Sequence, residues 1–151
     1  MRSCSCVVLL AALALSGAAS AAPVTPPTAK PIIDVWSGTF ATCGQPEGAT
    51  WRLAPAAGGY AVTYRNSSLE AWQAPPGLAT VLAPADLARL NATGSSRDPR
   101  DQAQAALSWQ QAHFLQLPTG WFDRYRAQDQ AFTPDLVLTG GGYAVFLCRQ
   151  P

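Results

Sequence analysis

The sequence predicts an α+β fold, mainly antiparallel β-sheet or a small barrel, closed by one disulfide and carrying one or two helices from the middle of the chain. Three observations point there. Both ends of the chain hold stretches of period-two alternation separated by Gly/Pro clusters. The middle holds two proline-led helix starts. The third observation is that, of four cysteines, Cys43 and Cys148 are the two that fall outside a secretory leader.

That leader is read from residues 1–22. Arg2 supplies a positive start, Val7 to Leu15 an apolar run, and Ala19-Ser20-Ala21 a small-residue cleavage pattern. The run is too short for a membrane span, which takes ~20 residues. No membrane insertion is expected after cleavage. The Ala-rich leader has a bacterial look, so the expected compartment is secreted or periplasmic, where a Cys43–Cys148 bridge is stable. Pro23, Pro26, Pro27 and Pro31 make residues 23–33 an extended tether. Residues 34–151 then form a single globular domain, a common size for one core.

Along that domain, Val35 to Phe40 reads as the first strand, with Trp36 and Phe40 on one face and Cys43 at its end. Thr50 to Ala54 and Tyr60 to Arg65 alternate likewise. Between them Pro55-Ala56-Ala57-Gly58-Gly59 suits a hairpin turn. Leu136 to Leu138, Gly140-Gly141-Gly142 and Tyr143 to Cys148 repeat the device. The motif Gly-Gly-Tyr-Ala-Val occurs at 58–62 and again at 141–145, read as one turn chemistry used twice. Pro84 to Asn91 predicts a short helix stopped by Gly94. Asp98-Pro99 predicts a second helix from Pro99 to about Ala112, because Asp98 can cap the first free N–H groups and Pro99 lacks one. Residues 107–117 fit strand nearly as well through Trp109, Gln111, His113, Leu115 and Leu117.

Charge excludes several functions. Without Arg2, nine basic residues face nine acidic ones, so nucleic acid and anionic membrane surfaces are not expected partners. One His and no free thiol cannot build a standard zinc site, and no cofactor or metal is expected. Enzymatic motifs are lacking, and the glycine clusters precede strands rather than the helices that phosphate loops need. His113, between Ala112 and Phe114, reads as a packed side chain. Glu47, Glu70, Asp86 and Asp123 could supply a carboxylate pair for glycoside hydrolysis, but solvated surface charges are the simpler reading. Asn66 and Asn91 open glycosylation sequons.

The most site-like stretch comes after the Pro118-Thr119-Gly120 turn. Trp121, Phe122, Asp123, Arg124, Tyr125 and Arg126 interleave aromatics with charges, the composition of binding hot spots. Trp72, beside Ala74-Pro75-Pro76-Gly77, is a second aromatic on an expected loop. The alternative is that the aromatics of 121–126 face the core.

A cysteine ending the first strand (Phe40-Ala41-Thr42-Cys43) and another in the last (Phe146-Leu147-Cys148) resembles the plan of the periplasmic lysozyme inhibitors of Gram-negative bacteria. That resemblance implies an inhibitor. It covers the two ends of the chain; the Ser-Gly loop ending in Tyr that such inhibitors insert has no counterpart here, since Ser95-Ser96-Arg97 leads into a helix start. The expected function is therefore an exported inhibitor or immunity-type protein with a protein partner in the cell envelope. The rivals are a β-barrel carrier of an apolar small ligand or glycan, suggested by Trp36-Ser37-Gly38-Thr39-Phe40, and a small hydrolase.

Overall fold

Alternating side chains and tight turns build a meander that closes on itself. The computed structural model describes residues 34–95, 98–122 and 132–151. The leader and tether expected from the sequence, and Asp123 to Arg126 of the sequence-predicted site, lie outside these residues. The strands are β1 (Gly38–Thr42), β2 (Thr50–Ala56), β3 (Gly59–Arg65), β4 (Leu78–Val81), β5 (Ala105–Trp109), β6 (Ala112–Gln116), β7 (Leu136–Gly140) and β8 (Tyr143–Arg149). Each pairs antiparallel with the next, and β8 returns to β1, giving a closed eight-stranded barrel. Closure removes the unpaired edges that an open sheet must protect. Of the two forms expected from the sequence, antiparallel sheet or small barrel, the barrel is the one that forms, and the Cys43–Cys148 disulfide closes it.

Both hairpins predicted from glycine clusters are present. Ala56 faces Gly59 across one turn and Gly140 faces Tyr143 across the other. Gly58 (φ 90°), Gly141 (φ 58°) and Gly142 (φ 84°) adopt left-handed backbone that other residues resist. In the second copy of Gly-Gly-Tyr-Ala-Val both glycines form the turn, whereas in the first Gly59 already belongs to β3. The motif is shared turn chemistry, used at opposite ends of the barrel.

Inside the barrel, Phe40, Leu107, Phe114, Leu136 and Leu147 are fully buried and fill the lower and middle levels. A second core lies outside the wall. The outward row Ala106, Leu115, Val137 and Phe146 is covered by Leu87 and Leu90 of helix α1 (Pro84–Thr93), by Ala103 and by Phe122. Strands β5 to β8 are thus apolar on both faces, which is why β7 reads Leu-Val-Leu without alternation.

The predicted helix from Pro99 to Ala112 is corrected by these two cores. Asp98 does cap a helical start, accepting from the Arg100 N–H at 2.9 Å, but the helix is confined to one 3-10 turn over Pro99–Gln102. From Ala105 onward, period-two burial wins. Leu107 and Trp109 face inward while Ala106 meets the outer core, an arrangement that satisfies all three apolar side chains as a helix would not.

One seam closes the structure. Ala41 pairs with Cys148 and Thr42 with Leu147, and the Cys43–Cys148 disulfide spans the same seam with Cα atoms 5.0 Å apart. At the end of the barrel holding both described termini, the Arg149 guanidinium lies 4.7 Å from the Phe40 ring and donates to the Val35 carbonyl at 2.8 Å and to that of Ser37. This end is shut.

Candidate functional site

The opposite end is open, and residue size explains the opening. The turns β1–β2, β3–β4, β5–β6 and β7–β8 surround it, as they must in an up-and-down meander. Across β5 to β8 the last inward row reads Trp109, Ala112, Gly140, Tyr143. Two small residues therefore stand between two large aromatics. The next row down, Leu107, Phe114, Leu138 and Val145, supplies a floor. A cup of about 400 Å³ results, walled by Trp51, Tyr64, Trp109 and Tyr143 and rimmed by the amides of Asn66, Gln110 and Gln111. This is within the usual ~300 to 1,000 Å³ of ligand sites.

The walls are held rigidly. Tyr64 meets Trp109 edge-on with ring centroids 6.2 Å apart, and Trp109 rests on Phe114 at 5.9 Å. Trp51 is 8% and Trp109 7% exposed, while Tyr143 at the rim is 61% exposed. The indole N–H of Trp109 is buried with no acceptor among the described residues. Gln110, first residue of the two-residue β5–β6 turn, has φ 53°, the one positive φ outside glycine among the described residues. A positive φ at that position is what a two-residue hairpin turn requires, at a cost for a residue other than glycine.

A second hollow of about 390 Å³ lies on the outer wall, between Ser95, Asp98 and Arg100 on one side and His113, Thr139 and the Gly140–Gly142 turn on the other. Its charges are spent on each other. Arg100 Nε donates to both Asp98 oxygens at 3.0 Å, which holds the Asp98 carboxyl below its usual range and raises Arg100. His113 faces Thr139 across β6 and β7. Burial, and then the nearby Arg100 cation, push the His113 pKa below its ordinary 6.5. The lowered value favours the neutral form of His113 at pH 7.

Stability should respond to that shift. The folded state binds a proton at His113 less readily than the unfolded chain, so the His113 contribution is full above about pH 6.5 and is lost as pH falls through the lowered folded value. Denaturation midpoints between pH 7.5 and 5 should decline for the native chain and decline less for His113→Gln. Equal slopes in both would remove His113 as the source.

Of the sequence-predicted site residues, the three described ones, Trp121, Phe122 and Trp72, are not gathered in one place. Trp121 is 3% exposed, meets Phe122 edge-on at 5.1 Å, and Phe122 meets Phe146 of β8 at 5.5 Å. Phe122 belongs to the outer apolar layer, and Trp121 is buried beside it. Trp72 stacks elsewhere, beneath the guanidiniums of Arg52 at 3.9 Å and Arg65 at 4.9 Å, over the outer faces of β2 and β3. Of the carboxylates, Glu47 accepts from the Ser68 hydroxyl, Glu70 from Asn66 Nδ2 at 3.0 Å, and Asp86 pairs with Arg89. None of these three lines either hollow. Asn91 donates its amide to the Ala103 carbonyl at 3.2 Å, so its sequon is built into packing.

The cup was missed in the sequence because its walls come from four strands. One signal was present: Trp109 immediately precedes the Gln110-Gln111 turn and Tyr143 immediately succeeds Gly141-Gly142, so two aromatics flank turns at the same end. Among the described residues no cluster of His, Cys, Asp or Glu could hold a metal, and no helix is long and apolar enough to cross a membrane. Comparison of the chain with family models, with curated proteins and with solved structures gives no match.

Proposed function

We propose that this chain is an exported binding protein, not an enzyme, that takes a small uncharged ligand in the cup at the mouth of its barrel. The observation that carries this is the cup: concave, aromatic-walled, and lined by no Asp, Glu, His, Lys, Arg, Cys, Ser or Thr. Such a lining suits a ring, and its only titratable side chains are the phenols of Tyr64 and Tyr143, with no carboxylate, imidazole or thiol beside them. Of the functions expected from the sequence, the barrel carrier is the one this geometry supports best. N-phenyl-1-naphthylamine, a neutral fluorescent ring compound, should bind saturably at one per chain. Tyr143→Ala, at an exposed rim position, should weaken it at least fivefold. Absence of saturable binding would contradict the reading.

A second reading, inhibition of an envelope enzyme, is favoured by the β3–β4 loop at the same end. Leu69 is 96% exposed at its tip. The flanks are braced by Arg65 Nη1 donating to the Ser68 carbonyl at 3.0 Å and by Ser68 N–H donating to the Glu47 carbonyl at 3.1 Å. A fixed loop presenting one apolar side chain suits insertion into a partner, since little ordering remains to be lost on binding. Turnover of a cell-wall suspension by lysozyme should fall as the protein is added, and Leu69→Asp should relieve it. Unchanged turnover at all concentrations would contradict inhibition of that enzyme.

A further inference from the structure

We propose that the mouth cup is a saccharide subsite that seats one uncharged pyranose ring, an assignment that rests on reading the cup as the ligand site. The first argument is electrostatic. None of the lining residues is charged, so an anionic or cationic ligand would lose its hydration without gaining an ionic partner. The ligand is therefore neutral.

The second argument concerns the distribution of polar atoms. The walls Trp51 and Trp109 present aromatic edges to the cup, while Asn66, Gln110 and Gln111 stand exposed around the rim. A pyranose matches this division. Its C–H faces are apolar and flat enough to pack on aromatic rings, and its hydroxyls project outward at the edge, where amides can both donate and accept. A purely hydrocarbon ligand would satisfy the walls alone.

The third argument is the shape of the hollow and the cost of its rim. Gly140 cannot be enlarged freely, since a Cβ there would lie 3.0 Å from that of Ala112, so the small pair holds the space open between Trp109 and Tyr143. At about 400 Å³ the cup suits one or two rings rather than a long acyl chain. Gln110 holds a left-handed backbone where glycine would be unstrained, which keeps a long amide side chain at the rim.

The test is calorimetric titration of the purified, oxidised protein with cellobiose, maltose, lactose and N,N′-diacetylchitobiose, with glucuronic acid as the charged control and N-phenyl-1-naphthylamine as the reference occupant. At least one disaccharide should bind at one per chain and displace the naphthylamine, and glucuronic acid should bind at least tenfold more weakly. Ala112→Leu, which fills the cup, should abolish both kinds of binding. Tyr143→Ala, at an exposed position, is the companion variant if Ala112→Leu fails to fold. Gln110→Gly should weaken the saccharide at least fivefold, change naphthylamine binding less than twofold, and leave the thermal midpoint equal or higher. Naphthylamine binding that Ala112→Leu abolishes, with no disaccharide bound, would overturn the saccharide assignment and keep the cup as a ligand site. Failure of every probe would overturn both. Saccharide binding untouched by Ala112→Leu and Tyr143→Ala would place the sugar elsewhere and overturn the assignment.

Discussion

Reducing the Cys43–Cys148 disulfide is expected to destabilise the barrel by about 4 to 5 kcal/mol, the chain-entropy value for closing so long a loop. The sequence separation is 105 residues. The size of the effect comes from the topology. Seven of the eight strand pairings join neighbours in the chain, but β1 and β8 must find each other across nearly the whole domain. The disulfide restricts the unfolded chain to conformations in which those ends are already close. Thermal midpoints should fall on the order of 10 °C or more when reductant is added, and Cys43→Ser with Cys148→Ser should reproduce the reduced value. An unchanged midpoint, or two reactive thiols titrated in the native protein, would contradict the bridge.

Trp121→Ala should cost about 3 to 5 kcal/mol, the usual penalty for emptying a large aromatic site. Trp121 is 3% exposed and its edge-on contact with Phe122 continues to Phe146. Beneath that layer lie Leu115 and Val137, both fully buried, on the outward face of β6 and β7. Truncation leaves a cavity beside the Phe122 ring. A denaturation curve measures it directly. A variant with an unchanged midpoint and lost partner binding would return Trp121 to the binding role its composition suggests.

The contrast between Trp121 and Trp109 shows what the sequence made legible. Strands bounded by Gly/Pro clusters could be read locally, because alternation and turn chemistry lie within a few residues. Hence β2, β3, β7 and β8 were visible, and so was α1 behind Pro84. β4 was not: of Leu78, Ala79, Thr80 and Val81 only Ala79 is buried, and Val81 is 57% exposed, so the segment carries no clear face. β5 was obscured by a genuine cap. Asp98 fixes where a helical turn starts and says nothing about its length, which was decided by two cores on opposite sides of Ala105 to Trp109. Sites depend on pairing even more strongly. Trp121 looked like a binding residue because charged neighbours come after it in the chain, yet it is 3% exposed and packs edge-on against Phe122. Trp109 looked like an interior residue and is one, but it also walls the cup because Ala112 and Gly140 stand beside it in register. Small residues opposite large ones become a hollow only once the register is known.

The central claim is that the mouth cup is where a ligand sits, and indole resonances test it most directly. The chain has five tryptophans, Trp36, Trp51, Trp72, Trp109 and Trp121, each with one indole N–H. In a ¹⁵N-labelled, oxidised sample titrated with N-phenyl-1-naphthylamine, the Trp51 and Trp109 signals should move together and saturate at one ligand per chain. The other three should stay within a small fraction of that displacement. Shifts confined to Trp72 or Trp121, or no shift at saturating ligand, would contradict the account.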